Sequence, residues 1–116
     1  GYEIGRLLRK KTIFCERVKG KFKLRRGFFI NKNSKVLIVE DVITTGKSSL
    51  ECSQLVEENN ALIVGYACII DRSNGKSRIK DKIISQVELN IPTYKKNNLP
   101  KELQSIEAVK PGSRNL

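Results

Sequence analysis

Two apolar runs, separated by a loop and a helical pattern, are the feature that most limits how this chain can fold. The first run is VLIV at residues 36–39, and the second is ALIVGYACII at residues 61–70. Continuous β-branched runs of this kind are typical of strands buried on both faces of a parallel sheet. Residues 48–59 between them show helical spacing, with one apolar side made of Leu50, Leu55 and Val56. Strand, loop, helix and strand in this order predict a right-handed βαβ unit.

The remaining segments fit around that unit. Residues 2–9 have the spacing of a short helix, residues 12–15 are apolar enough for a strand, and residues 83–89 suit a later strand. Residues 16–35 are basic and punctuated by glycine, which favours a loop or hairpin leading into a short strand at 28–30. We therefore expect a single α/β domain over residues 1–116, with a mostly parallel sheet, flanking helices and a flexible basic loop.

The charge of the chain indicates an anionic partner. The formal net charge is +11 and the pI is about 9.8. Nucleic acid is one such partner, but the four Phe and three Tyr residues are not interleaved with arginine in any tract. Phosphorylated small molecules would be attracted by the same field, and we favour them.

The cysteine pattern and the absence of histidine limit the catalytic and metal-binding chemistry that the chain can support. Cys15, Cys52 and Cys68 are odd in number and form no CxxC pair, so we expect small buried side chains in a reduced cytoplasm. The absence of histidine argues against a zinc site, a catalytic cysteine and a Ser-His-Asp triad. No apolar run is long enough to cross a membrane, and no signal peptide is evident.

Charged residues follow both apolar runs, as Glu40-Asp41 and as Asp71-Arg72. Because ligands collect at the carboxyl ends of parallel strands, we expect these two pairs to lie side by side. The segment EDVITTGKS then enters a helix, whose N-terminus favours an anion. Its phosphate-binding candidates are residues that offer hydroxyls or a close backbone approach: Thr44, Thr45, Gly46 and Ser48.

The same segment is not a nucleotide-binding P-loop. Gly46-Lys47-Ser48 resembles the end of that motif, but Asp41 stands where its first glycine is required. Two carboxylates before a phosphate cradle would repel a triphosphate, yet they can accept hydrogen bonds from sugar hydroxyls. The pattern predicts a ribose phosphate ligand.

The run VLIVEDVITTGKS closely resembles the motif that binds 5-phosphoribosyl 1-pyrophosphate (PRPP) in type I phosphoribosyltransferases. Five further segments are similar to the orotate-specific members of that family: GYEIGRLL, IFCER, LRRGFFI, Asp71-Arg72-Ser73 and KPGSR. The resemblance implies a Rossmann-like α/β fold. It also implies transfer of ribose 5-phosphate from PRPP to N1 of orotate in pyrimidine biosynthesis, with Mg²⁺ held mainly through PRPP and water.

The resemblance also implies roles for individual residues. Glu40 and Asp41 would hold the ribose hydroxyls, with Asp41 also counted as catalytic, while Thr44 and Arg72 would contact orotate. The 5-phosphate would lie against Val42, Ile43, Thr44, Thr45, Gly46, Lys47 and Ser48. A planar guanidinium suits the orotate carboxylate because its fork matches two oxygens.

Members of this family act as cytoplasmic homodimers, in which a flexible basic loop of one subunit closes over the active site of the other. Here that loop would be residues 17–26, with Arg17, Lys19 and Lys21 as catalytic candidates at the pyrophosphate. The loop lacks the histidine that many relatives carry, so no general acid is transferred to this chain. The resemblance further implies that an N-terminal portion is missing before residue 1.

Several alternatives stay open. Another base, such as a purine, could replace orotate, although a neutral base gives no reason for a guanidinium at Arg72. A non-enzymatic PRPP sensor could keep the cradle and use its positive charge on nucleic acid. At single residues, Arg72 could simply pair with Asp71, the acidic pair at 40–41 could be a solvated approach to the helix, and the basic run at 17–26 could be a plain solvated surface.

Overall fold

The helices and strands alternate along the chain. The computed structural model describes residues 1–25, 27–107 and 109, so Arg26 and the KPGSR segment lie outside the described residues. Its helices are α1 (Tyr2–Leu8), α2 (Lys47–Glu58) and α3 (Lys101–Gln104), with a 3₁₀ turn at Lys96–Asn98. Its strands are β1 (Cys15–Val18), β2 (Lys21–Leu24), β3 (Lys35–Ile43), β4 (Leu62–Asp71) and β5 (Ile83–Glu88).

A three-stranded parallel sheet, ordered β3-β4-β5, carries the core. Strand β3, helix α2 and strand β4 form the predicted βαβ unit, so that prediction is confirmed. The strand predicted at 83–89 is also confirmed as β5. The buried core cluster consists of apolar side chains from β3, β4 and the β4–β5 connection: Ile38, Ile43, Tyr66, Cys68 and Ile79.

Strand β3 is longer than its sequence predicted. We expected it to end before Glu40, but pairing with β4 continues through Val42 opposite Ile70 and Ile43 opposite Asp71. Ile43 is 2% exposed, so burial of this side chain offsets the presence of two acids within the strand. The loop that follows β3 therefore begins after Ile43 rather than at Glu40.

Helix α2 buries serines where apolar spacing predicted leucines. Its buried residues are Ser49, Ser53 and Val56, whereas Leu50 and Leu55 are only half-buried. The Ser53 hydroxyl lies 2.7 Å from the Tyr66 hydroxyl and donates to the Ser49 carbonyl at 2.9 Å. Because these hydroxyls are hydrogen-bonded, the helix can pack closely on the sheet without leaving buried polar groups unpaired.

The basic segment forms an antiparallel hairpin of β1 and β2, and a hairpin was one of the two forms predicted for it, the other being a loop. Its turn residues, Lys19 and Gly20, have φ angles of 49° and 81°, and positive φ at both positions is typical of a type I′ turn. The strand predicted at 12–15 is wrong apart from Cys15, and residues 28–30 form no strand. Phe28 instead packs edge-to-face on Phe14, with 5.1 Å between ring centres, although Phe14 itself stays 42% exposed.

Within residues 1–25, 27–107 and 109, no segment covers one face of the parallel sheet. Leu62 and Val64 are each 57% exposed, and Ile69 and Ile84 are 58% and 60% exposed. Parallel sheets normally bury both faces, so this apolar face has the character of a surface that further protein covers. Among the described residues, no helix is long and apolar enough to cross a membrane.

Candidate active site

A concave pocket lies where β3 ends and α2 begins. Every residue proposed for the 5-phosphate lines it, together with two that flank the loop: Glu40, Val42, Ile43, Thr44, Thr45, Gly46, Lys47, Ser48 and Ser49. The first intrahelical bond of α2 runs from the Leu50 N–H to the Gly46 carbonyl, at 3.0 Å. The N–H groups before Leu50 have no carbonyl partner within the helix, so this end of α2 can donate to an anion.

Gly46 fixes the shape of the pocket. Its φ of 74° lies in the left-handed region, and a β-carbon there would stand 2.6 Å from Ser77 Oγ and 2.9 Å from Ile79 Cγ1. The Thr45 carbonyl accepts a hydrogen bond from the Arg78 N–H at 3.0 Å. Residues 77–79 therefore support the loop from behind. Sequence reasoning missed this support, and its one signal was Ile79, the apolar residue in an otherwise polar connection.

Glu40 is a half-buried carboxylate inside the pocket. Desolvation raises its pKa, the hydrogen bond from the Ser49 hydroxyl to Oε1 at 3.4 Å lowers it, and the charge of Asp41 raises it again. Ser49 is 1% exposed and is held in turn by Ser53. The sequence did not indicate that Ser49 bonds Glu40, because the spacing of apolar residues takes no account of serine. A buried polar connection thus orients Glu40 from the core side.

Asp41 does not share this environment. Side chains alternate along a strand, so Asp41 projects from the opposite face to Glu40. It is exposed, its Oδ1 accepts the Val42 N–H at 2.8 Å, and it does not line the pocket. The structure therefore brings Glu40 to the pocket and leaves Asp41 beside it.

Arg72 lies next to the pocket at the end of the neighbouring strand. Its N–H donates to the Ile43 carbonyl at 2.8 Å, as expected for adjacent strand ends. Within the part of the chain that the structure describes, Arg72 Nε is buried without a hydrogen-bond partner, and no ion pair joins Arg72 to Asp71. The Asp71 carboxylate accepts the Ser73 N–H instead, at 2.7 Å. A buried, unpaired guanidinium nitrogen is costly unless a ligand satisfies it.

The three basic candidates of the hairpin do not line the pocket. Arg17 donates from Nη1 to the Gly20 carbonyl at 2.8 Å, places Nη2 2.7 Å from Glu51 Oε2, and lies over the Phe22 ring at 4.3 Å. Lys19 and Lys21 are exposed at the tip of the hairpin. In this chain the hairpin therefore rests against the side of α2.

The described residues hold no cluster of three or more acidic, cysteine or histidine side chains that could enclose a metal ion. The pocket does contain a carboxylate, that of Glu40, beside the hydroxyls of threonine and serine residues. This donor set suits an Mg²⁺ ion whose other ligands come from a phosphorylated substrate and water.

A parallel sheet with a donor-rich pocket between a strand and the helix that follows it is the arrangement in which many α/β proteins bind phosphorylated ligands. Residues 10–105 match the model of the phosphoribosyl transferase domain. The chain therefore belongs to the phosphoribosyltransferase family. It is 45% identical over 116 residues to the orotate phosphoribosyltransferase of Parvibaculum lavamentivorans, covering 100% of this chain and 60% of that protein. The enzyme of the same name from Methylorubrum populi is 49% identical over 117 residues, with the same coverage.

A solved structure gives the same picture of the fold. The adenine phosphoribosyltransferase of Thermoanaerobacter pseudethanolicus aligns with a TM-score of 0.60 at 14% identity, over 77% of this chain and 62% of that one. This likeness concerns the fold alone. The chain spans about 60% of the length of these two relatives named orotate phosphoribosyltransferase.

Proposed function

We propose that the protein is an orotate phosphoribosyltransferase. The observation that carries the proposal is the buried, unpaired Nε of Arg72, a residue whose backbone N–H bonds the carbonyl of Ile43 in the pocket wall at 2.8 Å. Orotate has a ring carboxylate that a guanidinium can bind through two parallel hydrogen bonds. A neutral purine has no such group, so the purine alternative leaves Arg72 without a partner.

PRPP would occupy the pocket between β3 and α2. The N-terminal turn of α2 and the hydroxyls of Thr44, Thr45 and Ser48 would bind its 5-phosphate. Glu40 would accept hydrogen bonds from ribose hydroxyls, with Asp41 contributing from the opposite side of the strand end. Thr44 directly follows Ile43, whose carbonyl accepts the Arg72 N–H, and it would contact both substrates.

In the reaction, N1 of orotate loses its proton to solvent and forms a bond to C1 of the ribose, and the bond from C1 to the pyrophosphate oxygen breaks. The products are orotidine 5'-monophosphate and pyrophosphate. Positive charge develops on the sugar and negative charge on the leaving group, so fixed charges in the site stabilise the transition state. Mg²⁺ on PRPP would neutralise part of the pyrophosphate charge.

The remaining charge at the pyrophosphate would come from a second subunit. Arg17, Lys19 and Lys21 do not line the pocket of their own chain, which is what a hairpin serving a neighbouring site requires. We therefore propose a homodimer that exchanges these hairpins, in the cytoplasm, where free thiols persist. Light scattering would report the mass of the full-length protein, and a monomer at assay concentration would exclude the exchanged arrangement.

Arg72 gives a direct test of the substrate. Hydrogen bonds to a charged group contribute about 1.5–3 kcal/mol, which corresponds to about 10- to 150-fold in kcat/KM. Arg72→Gln in the full-length protein should lower kcat/KM for orotate by this factor while changing the KM for PRPP much less. Arg6→Gln removes the same charge from an exposed position on α1 and serves as the control. Equal losses for both substrates, or no loss, would contradict the assignment.

A further inference from the structure

The basic hairpin and helix α2 meet at a defined contact. Arg17 Nη2 lies 2.7 Å from Glu51 Oε2, and Glu51 also lies 3.8 Å from Lys47 Nζ. Cys15 is two residues before Arg17 and therefore projects from the same side of β1. Cys52 directly follows Glu51 on the helix and packs against the core cluster. Cys15 and Cys52 therefore belong to the two elements that this ion pair joins, two residues and one residue from its partners.

The two thiols interact with each other. The hydrogen bond between them is the largest influence on both groups: it lowers the pKa of Cys15 to about 7 and raises the pKa of Cys52. Burial and the nearby charges of Glu40 and Glu51 also raise the pKa of Cys52. Both residues are half-buried and free, whereas Cys68 is 5% exposed within the core. Cys15 is therefore the thiol with the most nucleophilic character at neutral pH.

We propose that Cys15 and Cys52 form a reversible disulfide by exchange with low-molecular-weight disulfides such as oxidised glutathione. The Cys15 thiolate attacks one sulfur of the disulfide, giving a mixed disulfide and releasing one thiolate. Cys52 then loses its proton and attacks the Cys15 sulfur, which releases the second small thiol. Two protein thiols are oxidised and one small disulfide is reduced to two thiols, so the exchange balances.

The bond would join the hairpin covalently to the helix whose first turn forms the phosphate cradle. Its effect on turnover rests on the proposed function, because a hairpin tied to its own α2 could not reach a neighbouring subunit. Formation of the bond does not depend on that function. Oxidation would then lower transferase activity reversibly.

Peptide mapping of the reduced full-length protein after incubation with oxidised glutathione tests the inference. The expected product is a Cys15–Cys52 linked peptide that dithiothreitol reverses, with Cys68 still free. At pH 7, Cys15 should react at least about fivefold faster than Cys68, because more of it is thiolate and it is more exposed. Cys52→Ser should stop at a glutathione adduct on Cys15, and Cys68→Ser, the control, should still form the internal bond.

Three results would overturn the inference: a lasting glutathione adduct on Cys15 in the unmutated protein, a reaction of Cys68 at the rate of Cys15, or disulfides that form only between chains. The readouts separate this inference from the proposed function. If the internal bond forms but orotate is not consumed by the reduced protein, only the proposed function fails. If orotate is consumed but the bond does not form, only the disulfide inference fails.

Discussion

Replacing Gly46 by alanine should destabilise the protein through two separate effects. The φ of 74° places a β-carbon in the left-handed region, which disfavours a non-glycine residue by about 1–2 kcal/mol. The new atom would also stand 2.6 Å from Ser77 Oγ and 2.9 Å from Ile79 Cγ1. Ser77 can rotate, but Ile79 is 7% exposed and cannot move freely, so overpacking should add about 1–3 kcal/mol.

Gly75→Ala is the matched control. Gly75 has nearly the same φ, 71°, but nothing lies within 4 Å of the position of its β-carbon. It should therefore show the conformational effect without the packing effect. Urea unfolding at equilibrium, followed by circular dichroism, would give the free energy of unfolding of both variants. We expect Gly46→Ala to lose about 1–3 kcal/mol more than Gly75→Ala. Equal losses would refute the argument that Ser77 and Ile79 close the back of the cradle.

Two further substitutions probe the polar connection behind the pocket. Tyr66→Phe should lower the free energy of unfolding by about 1 kcal/mol, because its hydroxyl bonds Ser53 at 2.7 Å in the core; Tyr94→Phe, at a 47% exposed position, should change nothing measurable in the same urea assay. Glu40→Gln should stabilise the protein at pH 7 yet raise the KM for PRPP. Burial raises the pKa of Glu40 in the folded protein above its ordinary value of 4.5, so the charged carboxylate destabilises the fold at any pH above the raised pKa. As the pH falls from the raised pKa to 4.5 and below, the carboxylate is protonated in the folded and the unfolded state and this destabilisation disappears. A stability gain that persists at low pH, or that the exposed control Glu88→Gln also shows, would contradict this account.

The sequence predicted the parts of the fold that depend on continuous apolar runs. The runs at 36–39 and 61–70 indicated strands β3 and β4, and the spacing between them indicated α2. The strand end was misplaced because Glu40 and Asp41 suggest a loop, while burial of Ile43 and pairing with β4 keep the segment extended. Local composition cannot show an energy that comes from a neighbouring strand.

The candidate site was predictable where one contiguous segment forms it, and less so where distant segments meet. The cradle residues 42–48 all line the pocket. Ser49 and residues 77–79 were missed, because a buried serine and a support from behind have no periodic signature. The meeting of Cys15 with Cys52 was missed for the same reason, since 36 intervening residues separate them in the sequence.

The central claim is tested most directly by turnover of orotate. The full-length protein would be incubated with PRPP, Mg²⁺ and orotate, and the loss of orotate absorbance would be followed together with the appearance of orotidine 5'-monophosphate by chromatography. We predict PRPP-dependent formation of this product, with one pyrophosphate released for each orotate consumed. No turnover of orotate, combined with turnover of adenine or hypoxanthine, would contradict the account, as would salt-sensitive DNA binding without turnover of any base.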